Sequence, residues 1–358
     1  MNETSPLLLQ RHSVCCVNRR QVLRVLTATA LAGPSFFKAS ASAQELAPFQ
    51  DPPDEEVAWV CPMHASYTSP SSGTCPVCGM PLVQTRPYDT RDYRLEFRTE
   101  PAQVQPGQKV ALYFRFLHPG TGDVVKEFEV VHTKQFHLFV ISQDMEFFEH
   151  IHPKMRDDGT WSVETTVPKA GYYQVLCDFM PKGGSSQFLS APLVTANYVG
   201  DLFTDSAHLT PDELLKKSAG DLTGTLSFNR PQPASCEYTH LTFTLTDTAT
   251  GRPVTDLQTY LGQFSHMLLM SEDMQCYVHT HPMNLVVAQE EGVAIPEYII
   301  PPDADLSAIR GGPQVTFDAL LPKAGMFRAW AQFQRNDEVR TLAFTFAVAQ
   351  GSAEPVLA

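Results

Sequence analysis

A chain of 358 residues, 43% apolar and only 18% charged, is long enough for two or three domains and too apolar to be disordered. Its formal net charge of −13 repels phosphate backbones, so nucleic acid is not an expected partner. With 28 prolines and 10% aromatic residues, the composition favours β-rich structure with many turns.

Residues 1–43 read as a targeting segment. Asn18-Arg19-Arg20-Gln21-Val22-Leu23-Arg24 is a twin-arginine pattern, and an apolar run over residues 25–37, broken by Gly33-Pro34, follows it. Ala41-Ser42-Ala43 then supplies a small-residue cleavage site. An N-terminal anchor or internal helix fits less well, because charge, apolar run and cleavage site come in the order of a signal peptide. The run is shorter than the roughly 20 residues of a membrane span, and no later stretch reaches that length. Removing residues 1–43 takes away five basic residues and one acid. The remainder holds 21 basic and 38 acidic residues, a net charge of −17. The expected mature chain is soluble, without a membrane span, and periplasmic or secreted.

Residues 44–57 are rich in proline and acid and read as a linker. Residues 58–86 form a Cys-dense module too small for an apolar core of its own. Cys61-Pro62-Met63-His64 is followed by Cys75-Pro76-Val77-Cys78-Gly79-Met80. A Cys-x-x-Cys knuckle with glycine after the second cysteine lets two sulfurs face one ion, and Cys61 and His64 can complete a four-ligand shell. Met63 and Met80 are additional soft ligands, which favours Cu(I) or Ag(I) over zinc. The alternative is a Cys75–Cys78 disulfide. Redox Cys-x-x-Cys motifs usually open a helix, whereas this one sits among Pro and Gly. The stretch resembles the short heavy-metal-binding domain attached to copper-transporting ATPases and to periplasmic adaptors of metal-efflux pumps. The matching residues are Trp59, Cys61-Pro62-Met63-His64, Gly73, Cys75-Pro76, Cys78-Gly79-Met80 and Leu82, with Ala65 where that family usually has proline.

From about Asp92 the pattern alternates, as in Val110-Ala111-Leu112-Tyr113-Phe114-Arg115-Phe116, with frequent turn signals such as Pro106-Gly107 and Asp158-Gly159. An internal repeat appears. His137, Asp144-Met145, His150 and His152 recur as His266, Asp273-Met274, His279 and His281 at identical offsets, and Pro168-Lys169-Ala170-Gly171 recurs as Pro322-Lys323-Ala324-Gly325. The second copy carries 25 extra residues between His281 and Gly325. The expected fold is mainly β: two tandem Ig- or cupredoxin-like antiparallel β-sandwiches, residues 92–200 and 221–350, after the Cys-rich module. Residues 211–215, with Thr210 as N-cap, suggest one short helix between them. The repeats are similar to sandwich units of secreted bacterial proteins that accompany copper-handling genes.

A hairpin turn centred on Asp144-Met145 sets His137 opposite His152 and Phe139 opposite His150. The three histidines then share one face near the open end of the hairpin. The second copy does the same with His266, His279 and His281. Three neutral imidazoles suit Cu(II) or Zn(II), so each sandwich is expected to hold one ion at its rim, released near pH 6.5. The alternative is that the histidines are structural. A blue-copper centre is not expected, because no histidine follows Cys177-Asp178-Phe179-Met180 and Ala331 stands at the matching place in the second copy. Cys177 reads as a core residue, and Cys236 and Cys276, both in the second sandwich, are a candidate disulfide pair whose bonding the sequence leaves open.

These features point to an exported protein that binds copper or a similar heavy metal (zinc or silver) for sequestration, resistance or delivery. It is not expected to be an enzyme. Its partners are metal ions and a metal-transport or efflux protein. The competing reading is an interaction module of a metal-efflux assembly with structural histidines. If the twin-arginine reading is correct, mature protein begins at Gln44, and replacing Arg19 and Arg20 with lysine traps the precursor in the cytoplasm. Unchanged periplasmic yield of that variant, measured by cell fractionation, rules the reading out.

Overall fold

The computed structural model describes residues 58–62, 67–76, 79–85, 93–201, 205–282 and 305–351. The expected signal peptide and linker, together with Met63, His64 and Cys78, lie outside the described residues. The described part is built from β-strands, with no helix among them.

The Cys module is a small antiparallel sheet in which β1 (Ala58–Val60) lies between β2 (Thr68–Ser69) and β3 (Val83–Thr85). The first sandwich follows. One of its sheets holds β4 (Arg94–Glu100), β5 (Lys109–Leu117), β9 (Trp161–Thr166) and β8 (Lys154–Met155), in that order. The other runs β11 (Gln187–Val194), β10 (Tyr172–Phe179), β6 (Phe136–Ser142), β7 (Phe148–Ile151). The second sandwich repeats the plan. Its first sheet is β12 (Lys216–Ala219), β13 (Leu222–Phe228), β14 (Tyr238–Asp247), β17 (Gln314–Leu320), and its second is β16 (Tyr277–Thr280), β15 (His266–Ser271), β18 (Gly325–Arg335), β19 (Glu338–Val348).

Period-two alternation builds each core. Val110, Leu112, Phe114 and Phe116 of β5 point inward against Leu138 and Val140 of β6 and Val175 and Cys177 of β10. Leu241, Phe243 and Leu245 of β14 meet Met267 and Leu269 of β15 and Ala329 and Ala331 of β18. Cys177 is fully buried, as its sequence setting implies.

Alternation breaks down on β6 and β15, which are buried along their whole length. The cause is a third apolar layer. Phe139, Ile141 and Leu176 face away from the first core and meet Leu268, Met270 and Trp330, which face away from the second. Phe148 stacks on Trp330 with ring centroids 4.9 Å apart and planes within 7°. The β6- and β15-bearing sheets of the two sandwiches therefore pack back to back. The hairpin tips contribute as well. Met145 and Met274 take positive φ (57° and 55°) in matching turns and tuck into this layer, so the tip is apolar as well as polar. In each turn a serine hydroxyl, Ser142 or Ser271, accepts the N–H of Phe147 or Cys276 at 2.9 Å.

Two sequence expectations fail here. Residues 211–215 form no helix; residues 213–215 are bends. Asp212 donates its N–H to Thr345 O at 2.9 Å and accepts the Thr345 N–H at 2.8 Å, which holds the segment extended along β19. Cys276 is not the disulfide partner of Cys236. Cys276 closes the β15–β16 turn, while the Cys236 N–H bonds Leu321 O across the second sandwich.

Because Trp330 is 3% exposed between the sandwiches, Trp330→Ala should destabilise the chain. A cost of about 3–5 kcal/mol is expected for a buried tryptophan, read from urea unfolding of the full chain. Sandwiches that fold without contact would show no shift of that size.

Candidate metal centre

The β6–β7 ladder pairs Phe139 with His150 and Leu138 with Ile151, the register that the Asp144-Met145 turn implies. The β15–β16 ladder pairs Leu268 with His279. The histidines do share one face of each hairpin, but that face is not a rim. It is the face turned toward the other sandwich, next to Phe139 and Leu268. His137 and His266 are each 1% exposed, and His150 and His281 are buried. The expectation of two separate surface sites is therefore corrected. Back-to-back packing brings both trios into one centre.

Within it, His137 Nδ1 lies 3.2 Å from His150 Nε2 and 3.3 Å from His152 Nε2. His281 Nε2 lies 2.8 Å from His266 Nδ1. Two groups of ligand atoms converge: His137 and His150 with His279, which crosses the boundary between repeats, and His266 and His281 with His279, which lies within the second repeat. Nitrogens bound to one ion at about 2.0–2.1 Å in tetrahedral geometry stand roughly 3.3 Å apart, so the spacing around His137 Nδ1 is that of a shared ligand shell.

The far side of each ring fixes which nitrogen faces inward. His137 Nε2 lies 3.0 Å from the carbonyl of Val131, which can only accept, so that nitrogen carries the proton and Nδ1 is bare. His150 Nδ1 donates to Gln332 Oε1 at 2.8 Å, which leaves its Nε2 bare. His279 Nδ1 donates to Asp178 Oδ2 at 2.6 Å. His279 Nε2 and His266 Nε2 are buried with no hydrogen-bond partner among the described residues. Two bare nitrogens 3.2 Å apart repel unless a cation lies between them. A second proton is disfavoured. Burial, aided by the charge of His279, holds the His137 pKa down at about 4. Burial and His137 hold His152 at about 3. Burial also pushes His150, His266 and His281 well below the ordinary value. The donor set therefore fits a heavy-metal ion, with Asp178, Gln332 and the Val131 carbonyl orienting the ligands.

Asp178 and Gln332 are equivalent positions of the two repeats, paired with His137 and His266 in the ladders. Each bonds the histidine of the other sandwich. Sequence reasoning missed both, along with His132, which stacks on His281 at a centroid distance of 3.6 Å. His132 sits at positive φ (45°) in the Val131–Lys134 turn. Its counterpart is Leu261 in the Tyr260–Gln263 turn, so a search by repeat could not find it. Asp178 stands next to Cys177 in the sequence, but no local spacing links it to His279.

In the N-terminal module, Cys61, Cys75 and Met80 fall in one cluster with Trp59, Tyr67 and Leu82. Cys61 and Cys75 are buried. The Gly79 N–H bonds Cys75 O at 2.7 Å and the Cys75 N–H bonds Met80 O at 2.8 Å, with Gly79 at φ 73°. Only glycine takes that angle without strain, and the tight loop it closes is the shape a metal knuckle needs. Val60, Met80 and Val83 pack the module on Val131 and Met180 of the first sandwich. Thr85 Oγ1 donates to Gly184 O at 2.6 Å in the same contact.

Residues 58–85 match the heavy metal binding domain family. No curated protein matches the chain. Among solved structures it is similar to the FdeC adhesin of Escherichia coli at 14% identity and a TM-score of 0.21, over 75% of this chain and 68% of that one. It is also similar to InvD of Yersinia pseudotuberculosis at 12% identity and a TM-score of 0.22, over 74% of this chain and 60% of that one. With residues 89–193 and 217–350 both matched, more than half of its length, the chain belongs to the family described as domain of unknown function (DUF8832).

Proposed function

We propose that this protein is exported and binds copper or a similar heavy metal at two kinds of site, a thiolate module and a histidine centre between the sandwiches. It acts in sequestration, resistance or delivery, as a binding protein and not as an enzyme. The observation that carries the reading is the set of bare imidazole nitrogens in a buried centre, headed by His137 Nδ1 and His150 Nε2 at 3.2 Å. Burying such lone pairs face to face is costly unless an ion satisfies them. The heavy metal binding domain at residues 58–85 supports it from an independent part of the chain.

The test is elemental analysis of full-length mature protein recovered from the periplasm. Cys75→Ser with Cys78→Ser should remove the soft ion of the module and leave the histidine-bound metal. His279→Ala should reduce binding at the histidine centre as a whole, because His279 belongs to both converging groups. Metal-free protein in which His279→Ala changes nothing but stability would support the interaction-module reading instead.

The pKa shifts give a second test. The folded values, about 4 for His137 and about 3 for His152, lie below the ordinary value of 6.5. The unfolded chain therefore binds more protons below pH 6.5, and stability must fall with pH in that range. Metal-free protein should hold a constant urea midpoint above pH 7 and lose stability steadily between about pH 6.5 and 4. A midpoint that is flat down to pH 4 would mean that the rings are not buried in the neutral form.

A further inference from the structure

The histidine centre has more donors than one ion can use. A tetrahedral ion takes four nitrogens, whereas six imidazoles of the two repeats meet here. They fall into two sets around separate close contacts. His137 Nδ1 gathers His150 and His152 at 3.2 and 3.3 Å. His266 Nδ1 meets His281 Nε2 at 2.8 Å. His279 stands within ligand range of both. An ion in one set would leave the other set buried without one, its rings joined only by the His281 Nε2–His266 Nδ1 contact and His266 Nε2 unpartnered among the described residues. We infer that the centre holds two ions side by side, and that they are monovalent soft ions of the Cu(I) or Ag(I) class. This rests on the metal-binding reading above.

The charge follows from spacing and surroundings. Rings of the two sets are close neighbours, with His137 centroids 5.4 Å from His279 and 6.1 Å from His266. Ions held by such rings stand near each other in a buried site, where screening by water is weak. Repulsion scales with the product of the charges, so two divalent ions repel four times as strongly as two monovalent ions at the same separation. The ligands cannot offset this, because neutral imidazole brings no negative charge. Asp178 is the carboxylate hydrogen-bonded to a ring of the centre. Lys134 acts on His137 and His152 as a positive charge and works against it. Imidazole accepts copper readily, so the pair that fits this charge balance is a monovalent one.

The two subsites are also inseparable. His150 is held by Gln332 and His279 by Asp178, each from the opposite sandwich. Neither set has its oriented rings unless the sandwiches are docked.

The test uses the full mature chain with Cys61→Ser, Cys75→Ser and Cys78→Ser, so that the thiolate module is silent. Anaerobic Cu(I) is titrated against a chromophoric chelator, and Zn(II) against a competing indicator. Two equivalents of Cu(I) and one of Zn(II) are expected. A single Cu(I) equivalent overturns the paired site while leaving metal binding in place. No bound ion of either kind overturns both. Two Zn(II) equivalents overturn the monovalent assignment. If circular dichroism shows that the triple variant does not fold, the unaltered chain is titrated instead. It should then take three Cu(I) equivalents, and two would overturn the pair.

Discussion

The back-to-back packing of two β-sheets is the constraint on which everything else in this molecule rests. Each sheet already covers its own sandwich core, and each is covered again by its counterpart. Phe139, Ile141, Leu268, Met270 and Trp330 supply the apolar part of that second contact. The hydrophobic gain from this layer holds the sandwiches together. It also withdraws the histidine rows of both hairpins from water. Without it, each trio would sit on an exposed sheet face, free to turn. With it, the rings are buried, oriented and directed at one another.

Much of this was legible from residue spacing. The register of both hairpins follows from where Asp144-Met145 and Asp273-Met274 place the turn, because a period-two strand leaves little freedom once the turn is fixed. The sandwich architecture follows from alternation in strands such as β5 and β14. The knuckle of the N-terminal module follows from Gly79. In each case the information is local, since neighbours in sequence decide the outcome.

What could not be read was long-range. Alternation on β6 states which residues face the strand's own core, but not what covers the other face. The continuous apolar character of Phe136-His137-Leu138-Phe139-Val140-Ile141 was the available sign that both faces are buried. Asp178 and Gln332 act on residues roughly a hundred or more positions away, across a contact that no periodicity encodes. His132 was hidden for the opposite reason. It has no partner in the repeat, so the symmetry that revealed the trios passed over it. Residues 211–215 carried correct local signals for a helix and lost to two hydrogen bonds with Thr345.

The crossed bonds from Asp178 to His279 and from Gln332 to His150 have a consequence for the history of the chain. The two repeats face each other as the halves of a two-fold symmetric dimer would. In such a dimer, made from two identical single-repeat chains, position 178 and position 332 would be one residue, encoded once. Both histidines would then be held by carboxylates or both by amides. Joining the repeats in one polypeptide removes that equality, because each half can mutate alone. The chain uses this freedom where it counts, with an anion behind one ring and a neutral amide behind the other, so the two sides of a nearly symmetric centre carry different charge. Tandem fusion thus does more than keep the halves at high local concentration. It lets a shared site become polar along its own axis.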